Sequence, residues 1–175
     1  HKDEPGLLRV VPCLARSDRK VYRFSGTVTY VTTGAAVAGA VALLGKVRTT
    51  PTNAALAPVS VLGMDCEWKP PGLNGRNTAA LLQLATKTHA VVFNLTRIMA
   101  DGSWRPAGTL PSVPQALRAL LADGSTLKVG VGIKGDVTAL QRRVSNLTVN
   151  GVVDLRPLAQ QCLGLPAGTG TLQAL

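Results

Sequence analysis

The stretch from 59 to 95 holds three apolar runs, "VSVLGMDCEW" at 59 to 68, "AALLQLAT" at 79 to 86 and "HAVVFNL" at 89 to 95, with turn-forming residues between them. Runs of this length and spacing predict consecutive strands joined as hairpins. Upstream, "TVTYVT" at 27 to 32 alternates and is rich in β-branched residues, which predicts another strand. The apolar run Ala35 to Leu44 behind it predicts a helix, at about half the roughly 20 residues that a bilayer-spanning helix requires. Residues 49 to 58 read as a linker. Residues 1 to 26, with Pro5 and Pro12 and no sustained period, read as a poorly specified leader.

The pattern changes downstream. After a polar loop with Asp101, Gly102 and two prolines, "SVPQALRALLADG" predicts a short helix with Ser112 as N-cap, Pro114 in its first turn and Gly124 as its stop. The buried strand "LKVGVG", the helix "KGDVTALQRRV", the strand "VNGVVDL" and the helix "RPLAQQCLG" then alternate. Hairpins followed by strand and helix alternation predict one α/β domain over 27 to 175, with a mixed sheet that is antiparallel in its first half and parallel in its second.

Composition narrows the partners. With 175 residues and 46% apolar content the chain can bury an ordinary core. Nineteen Lys and Arg oppose nine Asp and Glu, a net charge of +10, which favours a polyanion such as nucleic acid. The surplus is spread along the chain, so no separate basic tail explains it. Three scattered cysteines, with no Cys-x-x-Cys pair and no signal peptide, point to free thiols in a reducing compartment; neither a structural zinc site nor a membrane anchor is expected.

Asp65 and Glu67 close an otherwise apolar strand. Alternate residues of a strand share a face, so both carboxylates project one way while Cys66 faces the opposite layer. Two such anions repel, and burial makes this worse, unless cations lie between them. Hard Mg²⁺ or Mn²⁺, which prefers carboxylate and water, is the natural partner. Asp136 is the candidate third ligand, since it opens a helix beyond the carboxyl end of a strand. The competing reading makes Asp65 and Asp136 caps and Glu67 a solvated surface acid, and spacing alone does not choose.

The strings "VLGMDCEWKP", "ALLQLAT", "LLADGSTLKVGVGIKGDVTALQRR", "VVDLRPLA" and "GTLQAL" together resemble the DEDD-type 3′-to-5′ exonucleases, in that family's order, over roughly residues 59 to 175. The resemblance implies a three-layer, ribonuclease H-like fold. It matches "DCE" at 65 to 67 to the first motif and Asp136 to the second. It implies that Asp65, Glu67 and Asp136 hold two divalent ions, Mg²⁺ or Mn²⁺, and cleave nucleotides from a single-stranded 3′ end of DNA or RNA. It further implies a nuclear or mitochondrial protein. The family's third motif, with a tyrosine and a fourth aspartate, has no counterpart, since residues 155 to 175 contain no acid. The carboxy-terminal part of the fold is therefore expected to be missing and the chain alone to show weak activity or none; the start at His1, not Met, and the abrupt stop at Leu175 after "GTLQAL" are likewise expected to be cut ends. A nucleic-acid-binding module that keeps the fold without its chemistry is the alternative.

Cys66, Trp68 and Lys134 flank these acids and are candidate substrate contacts, Trp68 by stacking on a base and Lys134 by reaching a phosphate. Core packing competes for Trp68, and a solvated turn for Lys134. Gly130, Gly132 and Gly135 also spell an NAD-type dinucleotide fingerprint, with Asp154 at the end of the next strand. Asp136, however, puts an anion where a pyrophosphate would need the helix N-terminus. Close packing of the glycines and helix capping by Asp154 are the expected roles. The two "NLT" sequons, at 94 and 146, are expected to be chance.

Overall fold

The computed structural model describes residues 23–45, 48–49, 59–68, 78–102 and 112–163. The leader up to 22, nearly all of the linker, both prolines of the polar loop and the final "GTLQAL" lie outside the described residues.

The order of elements is β1 (Thr27–Val31), α1 (Val37–Leu44), β2 (Arg48–Thr49), β3 (Val59–Trp68), β4 (Ala79–Ala85), β5 (His89–Asn94), α2 (Leu95–Ala100), α3 (Gln115–Ala122), β6 (Thr126–Gly130), α4 (Ile133–Arg143), β7 (Val152–Asp154) and α5 (Leu155–Leu163). The strands form one sheet in the order β1-β5-β4-β3-β6-β7, with β2 also paired to β3. Pairs β3–β4 and β4–β5 are the predicted antiparallel hairpins, and β3–β6 and β6–β7 are the predicted parallel half. One pairing departs from the expectation of an antiparallel first half: β1 lies parallel to β5, from Thr27 opposite His89 to Val31 opposite Phe93. Parallel pairing needs a crossover, and local pattern cannot say where a strand returns after so long a connection.

Alternation decides which side chains form the core. On β3, Leu62, Met64 and Cys66 are buried, and they join Leu82 and Leu84 of β4 and Val91 and Phe93 of β5 in one cluster. Helix α1 packs on β1 and β5 and against α3, while α4 lies against β3, β4 and β7. No helix among the described residues is long and apolar enough to cross a membrane.

Three local features differ from the sequence expectation. Residues 95–100 form the helix α2 in place of a loop, because Asn94 accepts a hydrogen bond from the Arg97 N–H (3.0 Å) as its N-cap. The same Asn94 donates from Nδ2 to the Tyr30 hydroxyl (2.6 Å), so the first "NLT" has a structural use. Ser112 does not cap α3: Pro114 occupies that position without a side-chain bond, and the Ser112 hydroxyl accepts instead from Arg118 Nη1 (3.2 Å). Thr49, expected in the linker, belongs to the short strand β2.

Candidate active site

Strand β3 runs on beyond its partner β6, whose last pairing on β3 is Gly63 opposite Val129. The chain then leaves β6 at Gly130 and turns into α4. At Gly130 a Cβ would strike the Met64 carbonyl, and Gly132, the α4 N-cap, stands at φ 68°, so both positions suit glycine for packing and turn geometry. The glycine run thus serves to bring α4 close to β3. An acid in the first turn of that helix further disfavours pyrophosphate binding there.

Asp136 occupies that first turn and is 4% exposed. Its carboxylate accepts the backbone N–H of Cys66, on the stretch of β3 that β6 no longer covers. Capping of α4 by the Asp136 side chain, the competing reading, does not occur. Burial, then the charges of Asp65, Glu67 and Asp154, push its pKa up to about 6, against the smaller opposing effect of the Cys66 hydrogen bond.

The three acids therefore share one electrostatic neighbourhood, centred on Cys66. Only Asp136 is buried, however; Asp65 and Glu67 project from the opposite face of β3 to the Cys66 side chain and are exposed. The expectation of crowded, buried anions holds for one of the three. Among the described residues, no three His, Cys, Asp or Glu side chains stand together so as to hold a metal ion. The donor chemistry nonetheless suits a hard divalent cation, because the available groups are carboxylates and one of them is held in place.

Cys66 is corrected as a side-chain substrate contact. Its thiol is buried in the core, and burial first, then Asp136, Asp65 and Glu67, push its pKa far above the ordinary thiol range. It stays a neutral thiol and contributes through its backbone N–H. Cys66 and Cys162 are both free.

Trp68 is not a core residue. The ladder between β3 and β4 slips between Glu67 and Trp68, and this irregularity breaks the alternation that would turn Trp68 inward beside Cys66. The side chain remains 41% exposed and reaches α4, with its Cη2 4.0 Å from where a Cβ on Gly135 would stand. Lys134 is exposed on the same helix. Together they border a groove of about 450 Å³ with Gly135, Thr138, Ala139 and Arg142. Sequence reasoning does not single out Thr138 and Arg142, although Lys134, Thr138 and Arg142 recur at the four-residue spacing that shares a helix face.

Asp154 behaves as expected. Its Oδ1 accepts from the Arg156 N–H (3.0 Å) at the start of α5 and from the Gly132 N–H (3.1 Å) at the start of α4. The Arg156 bond leads the effects that lower its pKa. One carboxylate thus pins both helix starts beside Asp136.

A three-stranded antiparallel block continued by parallel strands and helices, with acids on β3 and at the head of α4, defines a ribonuclease H-like α/β domain. The sequence profile of the 3′-5′ exonuclease family matches residues 45–173, and the chain belongs to that family. Exonuclease 3′-5′ domain-containing protein 2 of Homo sapiens is 37% identical over 103 residues, covering 58% of this chain and 15% of that protein. A 3′-5′ exonuclease of Arabidopsis thaliana is 27% identical over 142 residues, covering 81% of this chain and 45% of that protein. Among solved structures, the EXD2 exonuclease domain soaked in Mg and dGMP is similar with a TM-score of 0.59 at 30% identity, over 84% of this chain and 65% of the other. The chain spans less than half the length of these two relatives, and just under two thirds of that domain.

Proposed function

We propose that this domain belongs to a 3′-to-5′ exonuclease that hydrolyses nucleic acid phosphodiester bonds, with Asp65, Glu67 and Asp136 holding two Mg²⁺ or Mn²⁺ ions and nucleoside 5′-monophosphates as products. The observation that carries it is the buried Asp136 carboxyl, tied to the Cys66 N–H within electrostatic reach of two further carboxylates. Support comes from the EXD2 exonuclease domain, whose structures were obtained with Mg and dGMP and with Mn and dGMP.

Each residue has a distinct task. Asp136 is the immobile ligand, held by β3. Asp65 and Glu67 sit two residues apart on one strand face and are exposed, so their side chains can rotate toward a cation without disturbing the core. The neutral, inward-facing Cys66 thiol leaves the ligand set purely oxygen. When bound, two such ions activate water and stabilise the leaving 3′ oxygen of an in-line displacement.

The test is release of mononucleotides from a 3′-labelled strand with Mg²⁺, Mn²⁺ or EDTA. It is run on this chain, where weak or absent turnover is expected, and on a longer chain carrying the third motif. Asp65→Asn and Asp136→Asn in the longer chain should lower turnover by more than the roughly 10- to 100-fold typical of outer-shell metal partners. Undiminished cleavage by Asp65→Asn would remove that residue from the site. Binding of nucleic acid with no metal-dependent turnover in either chain would favour the binding module.

A further inference from the structure

The groove between Trp68 and α4 has none of the three carboxylates in its lining but neighbours two of them along the chain: Trp68 follows Glu67, and Gly135 precedes Asp136. Its floor is small, with Gly135 and Ala139. Its rim is cationic at two exposed points, Lys134 and Arg142. The eight residue steps from Lys134 to Arg142 span about 12 Å of helix. That is longer than the roughly 3.4 Å per phosphate along one strand of stacked DNA. Two cations so placed can therefore meet different phosphates of one strand. The indole of Trp68, 41% exposed, borders the same groove.

Resting on the exonuclease reading, we propose that this groove binds single-stranded nucleic acid on the 5′ side of the bond to be cleaved. Trp68 stacks on one base, while Lys134 and Arg142 neutralise phosphates, so that the strand runs from the carboxylates outward along α4. The groove has the volume for one unpaired nucleotide unit, and a base offers a free face for stacking only when it has left its duplex neighbours. The site is therefore selective for single strands and indifferent to base sequence. It uses no metal ion, so binding and cleavage are separable.

The experiment is fluorescence anisotropy of a labelled oligothymidylate with the chain in EDTA, repeated over a salt series. Trp68→Ala should weaken binding about 5- to 150-fold, from the roughly 1–3 kcal/mol of a base–aromatic stack. Arg142→Ala and Lys134→Ala should each flatten the salt dependence by about 0.7, the slope for one phosphate contact on a single strand. Arg97→Ala, which removes the same charge from α2, outside the groove, should bind like wild type. Melting temperatures check that each variant is folded. If wild type binds and the Trp68 and Arg142 variants bind equally well, or if Arg97→Ala matches Arg142→Ala, the groove proposal is overturned while the exonuclease reading stands on its own assay. Equal affinity for a blunt duplex also overturns it. So does the absence of binding by wild type at every salt concentration, with nucleotide release from the longer chain then deciding the exonuclease reading separately.

Discussion

Strands β4 and β5 bury Leu82, Leu84, Val91 and Phe93 with no charged side chain among them, whereas β6, β7 and α4 enclose Lys128 and Asp136 and lean on Asp154. In the first region the buried side chains are apolar, and they add burial to the backbone ladders. In the second, three charged groups find backbone partners: Lys128 Nζ donates to the carbonyls of Asp123 (2.6 Å) and Thr126 (2.9 Å), Asp136 accepts from Cys66, and Asp154 accepts from Gly132 and Arg156, while the buried Thr126 hydroxyl donates to the Asp123 carboxylate (2.9 Å). Buried polar groups without such partners are costly, and with them they hold one geometry. The difference separates a region that keeps the sheet together from one that keeps functional groups in place.

The largest expected effect breaks the first region. Phe93→Ala, at a fully buried position on β5 opposite Leu82, should cost about 3–5 kcal/mol, read from denaturant melts. A loss under about 1 kcal/mol would mean that the antiparallel block is not where the stability lies.

The second prediction uses pH. Asp136 has its folded pKa raised from 3.8 to about 6, so its contribution favours the folded chain fully below 3.8 and is lost as pH rises through 6. In EDTA the chain should lose up to about 3 kcal/mol from this group between about pH 4 and pH 7, a range set by roughly two pKa units. Asp136→Asn should flatten that portion of the profile. A variant profile as steep as that of wild type would place the buried charge elsewhere. Protons should also compete with divalent ions below about pH 6, seen as weaker Mn²⁺ binding.

The smallest effect sharpens the contrast. Burial lowers the Lys128 pKa despite the nearby Asp123 charge, so its two carbonyl bonds are partly offset by desolvation. Lys128→Met, which keeps much of the length of the side chain, should therefore destabilise by only about 1–2 kcal/mol. A more stable Met variant would show that the lysine is retained at a net cost in stability.

Much of this fold is legible in the amino-acid order. The hairpins of β3, β4 and β5, the alternation that sends Asp65 and Glu67 one way and Cys66 the other, and the capping of α5 by Asp154 all follow from neighbours within a few residues. Helix α2 is legible as well, since Asn94 is an ordinary N-cap signal, although the apolar run before it obscures the boundary. Trp68 is not: its exposure depends on a register slip against β4, and strand pairing is a property of two segments. The same holds for Asp136, whose burial and raised pKa come from β3, far earlier in the chain, outrunning β6 at the point where α4 arrives.

Taken alone, the order of residues sets the period of each element, the groups available for chemistry and the face on which each strand residue lies, because these depend on bonds and torsions close along the chain. Folding in three dimensions settles which acids feel one another's charge, which of them loses its water, and that Trp68 and Arg142 border one groove. Those outcomes depend on distances between segments, and electrostatic and desolvation energies act through space, whatever the separation along the chain.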